Sequence, residues 1–410
     1  MKLECVDVKN FRCFAELSLQ LHPELTVLIA PNGAGKTTLL DAIRIAVWPY
    51  VKGFDLGSQT GKSATIQQAD VRRIRQPNGN MEPVIPAQVE AIGQWPDSAE
   101  PKHWLQWREK MTSRSNTLGD DDARRLTATS KACEQRIFSD TPDPDLILPL
   151  IAYLGTGRLW YQGRYSSKVT DAPLDENSYS RTSGYQDCLT ATSSYKQFEQ
   201  WYGWVFKSYR ERQMIALERN TPLDEQGQRF KTAIDVVQQA VNQLIQPATG
   251  WADIAYSASQ QQQIVLSHPE QGEMPLDMLS DGLRNVVVMV ADLAFRCIKL
   301  NPQAGNAAAQ ITPGVVMIDE VDMFLHPQWQ QQILQALRGA FPALQFVVTT
   351  HSPQVLTTVP SECIRILSAH EVVTPTVATL GEESRTTLED VMHVNSRPHD
   401  AMADALQDYR

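Results

Sequence analysis

The chain has 410 residues, 42% hydrophobic and 20% charged, an ordinary globular composition long enough for two domains or one with a large insertion. Its formal net charge of −10 makes the average surface repel nucleic acid, so any DNA or RNA contact has to use a local basic patch or a partner. Six scattered cysteines with no CxxC pair read as free thiols of a reducing compartment, and the longest apolar run, 286–295, is broken by Asp292 and too short to span a bilayer.

The N-terminus opens directly into a strand without a signal-peptide pattern, which predicts a cytoplasmic protein. Residues 3–29 alternate apolar and polar through Leu3, Cys5, Val8, Leu17, Leu19, Leu21, Val27 and Ile29, the period-2 pattern of antiparallel strands. Among them, Asn10 and Arg12 flank Phe11 and read either as contacts to a nucleotide or as a surface turn. A strand-like run, 25–29, then enters Ala30-Pro31-Asn32-Gly33-Ala34-Gly35-Lys36-Thr37-Thr38, and a helix-like run follows over 39–45. Strand, Gly-rich turn, Lys-Thr and helix is the context of a P-loop, or Walker A motif. Gly33 and Gly35 let the backbone turn its N–H groups inward around an anion, and the helix N-terminus adds its dipole. Asn32, Gly33, Ala34, Gly35, Lys36, Thr37 and Thr38 are therefore the expected phosphate-binding residues, with Lys36 on the β- and γ-phosphates and Thr37 on Mg²⁺. The usual first glycine is replaced by Ala30, which predicts small strain and retained binding.

Residues 51–80 read as a long polar loop region. Gln67 or Gln68 fits a glutamine that senses Mg²⁺ and the attacking water, and Gln68 is taken as the metal-side candidate. A strand is expected over 84–92. Asp120-Asp121-Asp122 reads as a solvated loop or helix start rather than a metal site. The apolar run 146–154 suits a buried strand or short helix and ends in Gly155-Thr156-Gly157-Arg158-Leu159-Trp160. Residues 162–190 look like an exposed connector. Two helices follow: 195–217, with Phe198, Trp201, Tyr202, Val205 and Tyr209 at helical spacing, and 230–244. The aromatic stripe reads as core.

Leu279-Ser280-Asp281-Gly282 then precedes an apolar helix, so Ser280 and Gly282 form a second candidate anion site at a helix N-terminus. Residues 314–320, Gly-Val-Val-Met-Ile-Asp-Glu, describe a buried parallel strand with acids at its C-terminal end, where open α/β sheets carry their chemistry. Asp319 would hold Mg²⁺ through water, and Glu320 would polarise the attacking water. The apolar strand 344–348 ends in Thr349-Thr350-His351-Ser352-Pro353, which makes His351 a candidate contact to a γ-phosphate.

Walker A, Leu-Ser-Asp-Gly, hydrophobic-Asp-Glu and Thr-His-Ser, in this order, resemble the ABC-type ATPases. Asp319-Glu320 followed by His326-Pro327, with Thr350-His351-Ser352-Pro353, is similar to their RecF/SMC/OLD-like branch; transporter subunits usually read Asp-Glu-Pro and Ser-Gly-Gly-Gln. Within it, Ala152-Tyr153-Leu154-Gly155-Thr156-Gly157-Arg158, Ser183-Gly184-Tyr185 and Ser396-Arg397-Pro398 look like the PtuA ATPases of Septu and some retron anti-phage defence systems. The resemblance covers residues 1–95 and 270–370. It implies an α/β fold: an ABC-type P-loop ATPase head, a mixed β-sheet flanked by helices, with a largely helical insertion between Walker A and the signature motif. The implied domains are 1–95 (head with Walker A), 96–250 (mainly helical insertion), 251–370 (head with signature, Walker B and His switch) and 371–410 (tail, a candidate partner-binding segment). It further implies ATP and Mg²⁺ as cofactors and a homodimer or higher oligomer sandwiching ATP. In that sandwich Ser280 and Gly282 of one subunit complete the γ-phosphate site of the other. The implied partner is an HNH, PtuB-like nuclease. In retrons a reverse transcriptase with its RNA–DNA hybrid joins it, nucleic acid is contacted through the partner, and no membrane is involved. The alternatives are a RecF-like DNA repair ATPase, an ABC transporter nucleotide-binding subunit, and an OLD-like self-contained nuclease. Against the last, only about 60 residues follow His351, too few for a further nuclease domain.

Overall fold

Leu25–Ile29 (β3) is five residues long and every one of them is buried, so it can only be an interior strand covered on both faces. In the computed structural model, which describes residues 1–58, 64–96, 98, 100–112, 116–141, 143–159, 176–190, 195–368 and 371–395, β3 lies inside a six-stranded sheet. The sheet order is β16 (Glu371–Val373), β15 (Ile364–Ser368), β3, β14 (Leu344–Thr349), β13 (Gly314–Ile318), β9 (Leu150–Leu154). All are parallel except the edge strand β16. β9, β13 and β14 are likewise buried at every residue.

A second, antiparallel sheet of five strands has the order β2 (Phe14–Gln20), β1 (Lys2–Phe11), β6 (Ala87–Gln94), β7 (Pro101–Arg108), β8 (Leu118–Gly119). Gln345 ties the two sheets together: its side chain accepts from the Leu3 amide at 2.8 Å and donates to the Leu3 carbonyl at 2.7 Å. Two smaller sheets complete the β structure: β4 (Arg73–Arg75) with β5 (Met81–Pro83), and β10 (Ala252–Ser257), β11 (Gln263–His268), β12 (Gly272–Pro275).

The helices are α1 (Lys36–Val51), α2 (Asp55–Ser58), α3 (Asp121–Ile137), α4 (Tyr195–Arg219), α5 (Glu225–Thr249), α6 (Asp281–Leu300), α7 (Ala308–Ile311), α8 (Pro327–Gln330), α9 (Ile333–Ala340), α10 (Pro353–Leu356) and α11 (Ser384–Asp390). None among the described residues is long and apolar enough to cross a membrane. The acidic triplet starts α3: the Asp120 carboxylate caps it by accepting from the Ala123 amide at 2.8 Å. The aromatic stripe of α4 is core. Phe198 and Trp201 pack on Phe295 of α6 with ring centroids 6.2 and 4.7 Å apart, and each such side chain contributes about 1.5–3 kcal/mol on burial.

The boundary expected at residue 96 does not divide sheet from helices. β7 and β9, inside 96–250, pair with head strands, and the 252–275 sheet sits between the helical hairpin and the signature turn. Ser183-Gly184-Tyr185 is a packing element: Tyr185 donates to the Pro149 carbonyl at 2.7 Å, and a Cβ on Gly184 would lie 2.7 Å from Leu300 Cγ. In the tail, α11 is followed by the buried Val391, while Ser396-Arg397-Pro398 lies outside the described residues.

Candidate ATPase site

Parallel order places three strand ends side by side. β14 lies between β3 and β13, with Val348 paired to Val27 on one side and to Ile318 on the other. The C-terminal ends of these strands lead into the Gly-rich turn, Asp319-Glu320 and the Thr-His-Ser turn, as the chemistry of an open α/β sheet requires. The Gly-rich turn has the backbone that its glycines allow. Gly33 and Gly35 lie in the left-handed region at φ 79° and 106°, and Gly35 is the N-cap of α1. A Cβ on Gly35 would also lie 2.5 Å from Phe14 Cζ, so the β1–β2 turn packs directly against the loop.

Lys36 Nζ donates to the carbonyls of Ala30 at 2.8 Å and Pro31 at 3.4 Å. Burial pulls its pKa below the usual lysine range, against the opposing pull of Asp319 and Glu320. The Asp319 carboxylate, 4% exposed, receives two hydroxyls: Thr37 at 3.0 Å and Thr349 at 2.6 Å. The Thr349 oxygen also accepts from the Glu320 amide at 2.8 Å. A carboxylate and a hydroxyl beside a lysine are the hard oxygen donors that Mg²⁺ takes when phosphate and water supply its remaining ligands. Glu320 itself adopts φ 48°, a left-handed conformation uncommon for a residue with a side chain.

This geometry agrees with the family comparison: a profile described as an AAA domain matches residues 5–246, more than half of the chain, and a second AAA-domain profile matches 156–357. The chain belongs to the AAA-domain ATPases of the RecF/SMC/OLD-like branch. Among its relatives, the Retron Ec83 probable ATPase of Escherichia coli is 22% identical over 100% of this chain and 80% of that protein. The Retron Vc95 probable ATPase of Vibrio cholerae is 38% identical over 31% of this chain and only 25% of its own length. The Septu protein PtuA of Bacillus mycoides is 37% identical over 19% of this chain and 10% of its own. Among solved structures, an Smc head bound to the C-winged helix domain of ScpA superposes with a TM-score of 0.53 at 11% identity, over 92% of this chain and 98% of that one. The fold of this ATPase is therefore that of an SMC head.

Within that head, His351 follows β14 in the turn beside the site and is half-buried. Its neighbours hold the turn: Thr350 donates to Asp322 at 2.5 Å and Ser352 caps α10. Ser280 caps α6, accepting from the Leu283 amide at 3.5 Å. Ser280 and Gly282 line a cleft of ≈ 450 Å³ together with Trp251, Phe324, His326 and Trp329, and no P-loop residue contributes to it. Gly282 is there for close approach: a Cβ would lie 2.4 Å from the Phe324 carbonyl.

Three candidate ligand-side residues are held by partners within the chain. Asn10 donates to the Pro86 carbonyl at 3.0 Å. Arg12 pairs with Asp41 of α1 at 2.7 Å and with Asp70 at 2.8 Å, bracing the P-loop helix against the 68–70 turn. Gln68 donates to the Met111 carbonyl at 2.5 Å, and neither it nor Gln67, which bonds Thr65 at 2.7 Å, touches Thr37 or Asp319. In each case a nearby backbone or carboxylate partner takes up the side chain. Conversely, Thr349 and the buried Arg158, to which the sequence pattern gives no role, bond directly to Asp319 and Glu320. Arg158 donates to the carbonyls of Asp319 at 2.6 Å, Glu320 at 2.7 Å and Gly155 at 3.2 Å, and to Asn285 Oδ1 at 2.8 Å. Burial brings its pKa down to about 10, so it stays cationic at neutral pH.

Proposed function

We propose that this chain is the ATP-hydrolysing switch of an anti-phage defence complex, closing as a head-to-tail dimer around ATP and controlling a partner nuclease. One observation carries the ATPase part: Thr37, Asp319, Thr349 and Glu320 form a continuous hydrogen-bonded chain across three adjacent strand ends, beside Lys36. In this reading Asn32 to Thr38 wrap the phosphates. Lys36 exchanges the carbonyls of Ala30 and Pro31 for the β- and γ-phosphate oxygens. Thr37 and Asp319 would hold Mg²⁺, which when bound offsets phosphate charge. Glu320 accepts a hydrogen bond from the attacking water and aims it in line, and His351 contacts the γ-phosphate.

The signature cleft contains no residue of the P-loop, which supports completion of the phosphate site by Ser280 and Gly282 of a second copy. Loss of the γ-phosphate then removes contacts that hold the pair together, a two-state element that a partner can read. The names of the retron and Septu relatives support a defence role. The partner expected on that basis is an HNH-type nuclease, with a reverse transcriptase and its RNA–DNA hybrid in a retron setting.

The test is a pair of variants. Glu320→Gln should retain ATP binding and lose turnover, trapping a dimer visible by size-exclusion chromatography with light scattering. Lys36→Ala should weaken binding itself. Equal turnover in wild type and Glu320→Gln would remove Glu320 from the mechanism.

A further inference from the structure

We infer that Arg158 and Asn285 are a positioning pair that couples the signature helix α6 to the backbone of Glu320. The inference rests on the ATPase reading above. Arg158 is 2% exposed and Asn285 1%, so neither is a surface group held by chance. Arg158 spreads its guanidinium over four acceptors: three carbonyls in two loops and one side chain. Two of those carbonyls belong to Asp319 and Glu320. The planar fork of an arginine suits this, because its donors are fixed relative to one another.

Asn285 closes the linkage from the other side. Its Oδ1 accepts from Arg158 Nε, and its Nδ2 donates to the Met323 carbonyl at 3.0 Å. The segment 319–323 is thus held at both ends, at Asp319 and Glu320 by Arg158 and at Met323 by Asn285. Asn285 sits in α6 just after Ser280 and Gly282, and Gly282 itself abuts the Phe324 carbonyl. A displacement of the α6 N-terminus therefore cannot occur without moving the Glu320 turn or breaking these bonds. Glu320 occupies a left-handed backbone conformation, which persists only where surrounding contacts over-determine it. Arg158 on its carbonyl and Thr349 on its amide supply two of those contacts. Occupation of the signature cleft by a partner's nucleotide would be felt at the water-positioning carboxylate through this path. Turnover is then tied to dimer closure, while nucleotide binding at the P-loop of a single subunit is not.

The experiment compares the full chain with Asn285→Ala, Arg158→Lys and the double variant, measuring kcat, KM and the dissociation constant of a fluorescent ATP analogue. Lysine keeps the charge but loses the fork, and Asn285→Ala cuts only the link to α6. Both single variants should lose about 10- to 100-fold in kcat, the range expected for a small misplacement of a reacting group, with analogue affinity within about twofold of wild type. The double variant should be little worse than the weaker single one, because the two residues act as a unit. Circular dichroism melts identify variants that fail to fold; if Arg158→Lys fails, Asn285→Ala decides. Wild-type kcat in folded Asn285→Ala, or a parallel loss of affinity and kcat, would overturn the coupling. Absence of any ATP turnover or analogue binding in the wild-type chain would instead overturn the ATPase reading itself.

Discussion

Thr349→Val tests the hydrogen-bonded chain at its least obvious member. Valine has the shape of threonine and replaces the hydroxyl with a methyl. That hydroxyl is fully buried, donates to Asp319 Oδ1 at 2.6 Å and accepts from the Glu320 amide at 2.8 Å. Its loss leaves one buried N–H unpaired and takes one donor from a carboxylate, together costing about 3 kcal/mol. At about 2.1 cal/mol/K of unfolding entropy per residue, a chain of this length has ~0.9 kcal/mol/K, so the midpoint should fall by ~3 °C if it unfolds as one unit. Activity should fall as well. Asp319 loses one of two hydroxyls that orient it, and the Glu320 turn loses a restraint, which predicts about a 10- to 100-fold drop in kcat. The assay is a coupled ATPase measurement beside a calorimetric melt, with Thr349→Ser as the rescue that restores the hydroxyl. A Thr349→Val protein with wild-type kcat would refute the reasoning, as would a Thr349→Ser protein as impaired as the valine variant.

Further outcomes follow from the same geometry. Mixing Lys36→Ala subunits with Ser280→Arg subunits should regenerate one intact composite site and partial ATPase activity; no recovery despite verified exchange would argue against a head-to-tail sandwich. Ser280 is exposed and serves better than Gly282, whose side chain would strike its own subunit's Phe324 carbonyl. Burial, with Asp277 adding and Lys196 opposing, raises the Glu199 carboxyl from 4.5 to about 8, and its Oε1 has no hydrogen-bond partner among the described residues. The folded chain therefore keeps a proton that the unfolded chain releases, so stability should decline as pH rises from about 4.5 to about 8, by on the order of 5 kcal/mol. Denaturant titrations across that window should show a shallower slope for Glu199→Gln; an unchanged slope would exclude Glu199 as its source. The purified chain with ATP and Mg²⁺ or Mn²⁺ should leave DNA and RNA uncut, and metal-dependent cutting abolished by changes outside the ATPase motifs would favour an OLD-like nuclease instead.

The sequence by itself determined those parts of the molecule whose signal is contiguous. Five apolar residues, a Gly-rich turn and Lys-Thr specify β3, the P-loop and α1, because neighbouring residues make the whole structure. The same holds for β13 with its terminal acids, for β14 with the Thr-His-Ser turn, and for Ser280 capping α6. Tertiary structure decided what depends on meetings between distant residues. Asn10, Arg12 and Gln68 have side chains of a type that suits a nucleotide or metal, and only the tertiary structure gives their partners within the chain, 76, 58 and 43 residues away. Arg158 lies outside the Walker and signature motifs, and the bonds that bring it to the site go to Asn285 and Glu320, 127 and 162 positions on. β7 and β9 joined the head sheets from within a stretch otherwise dominated by helices, because strand pairing is satisfied by whichever edge is available in space and leaves no mark of its partner in the local pattern.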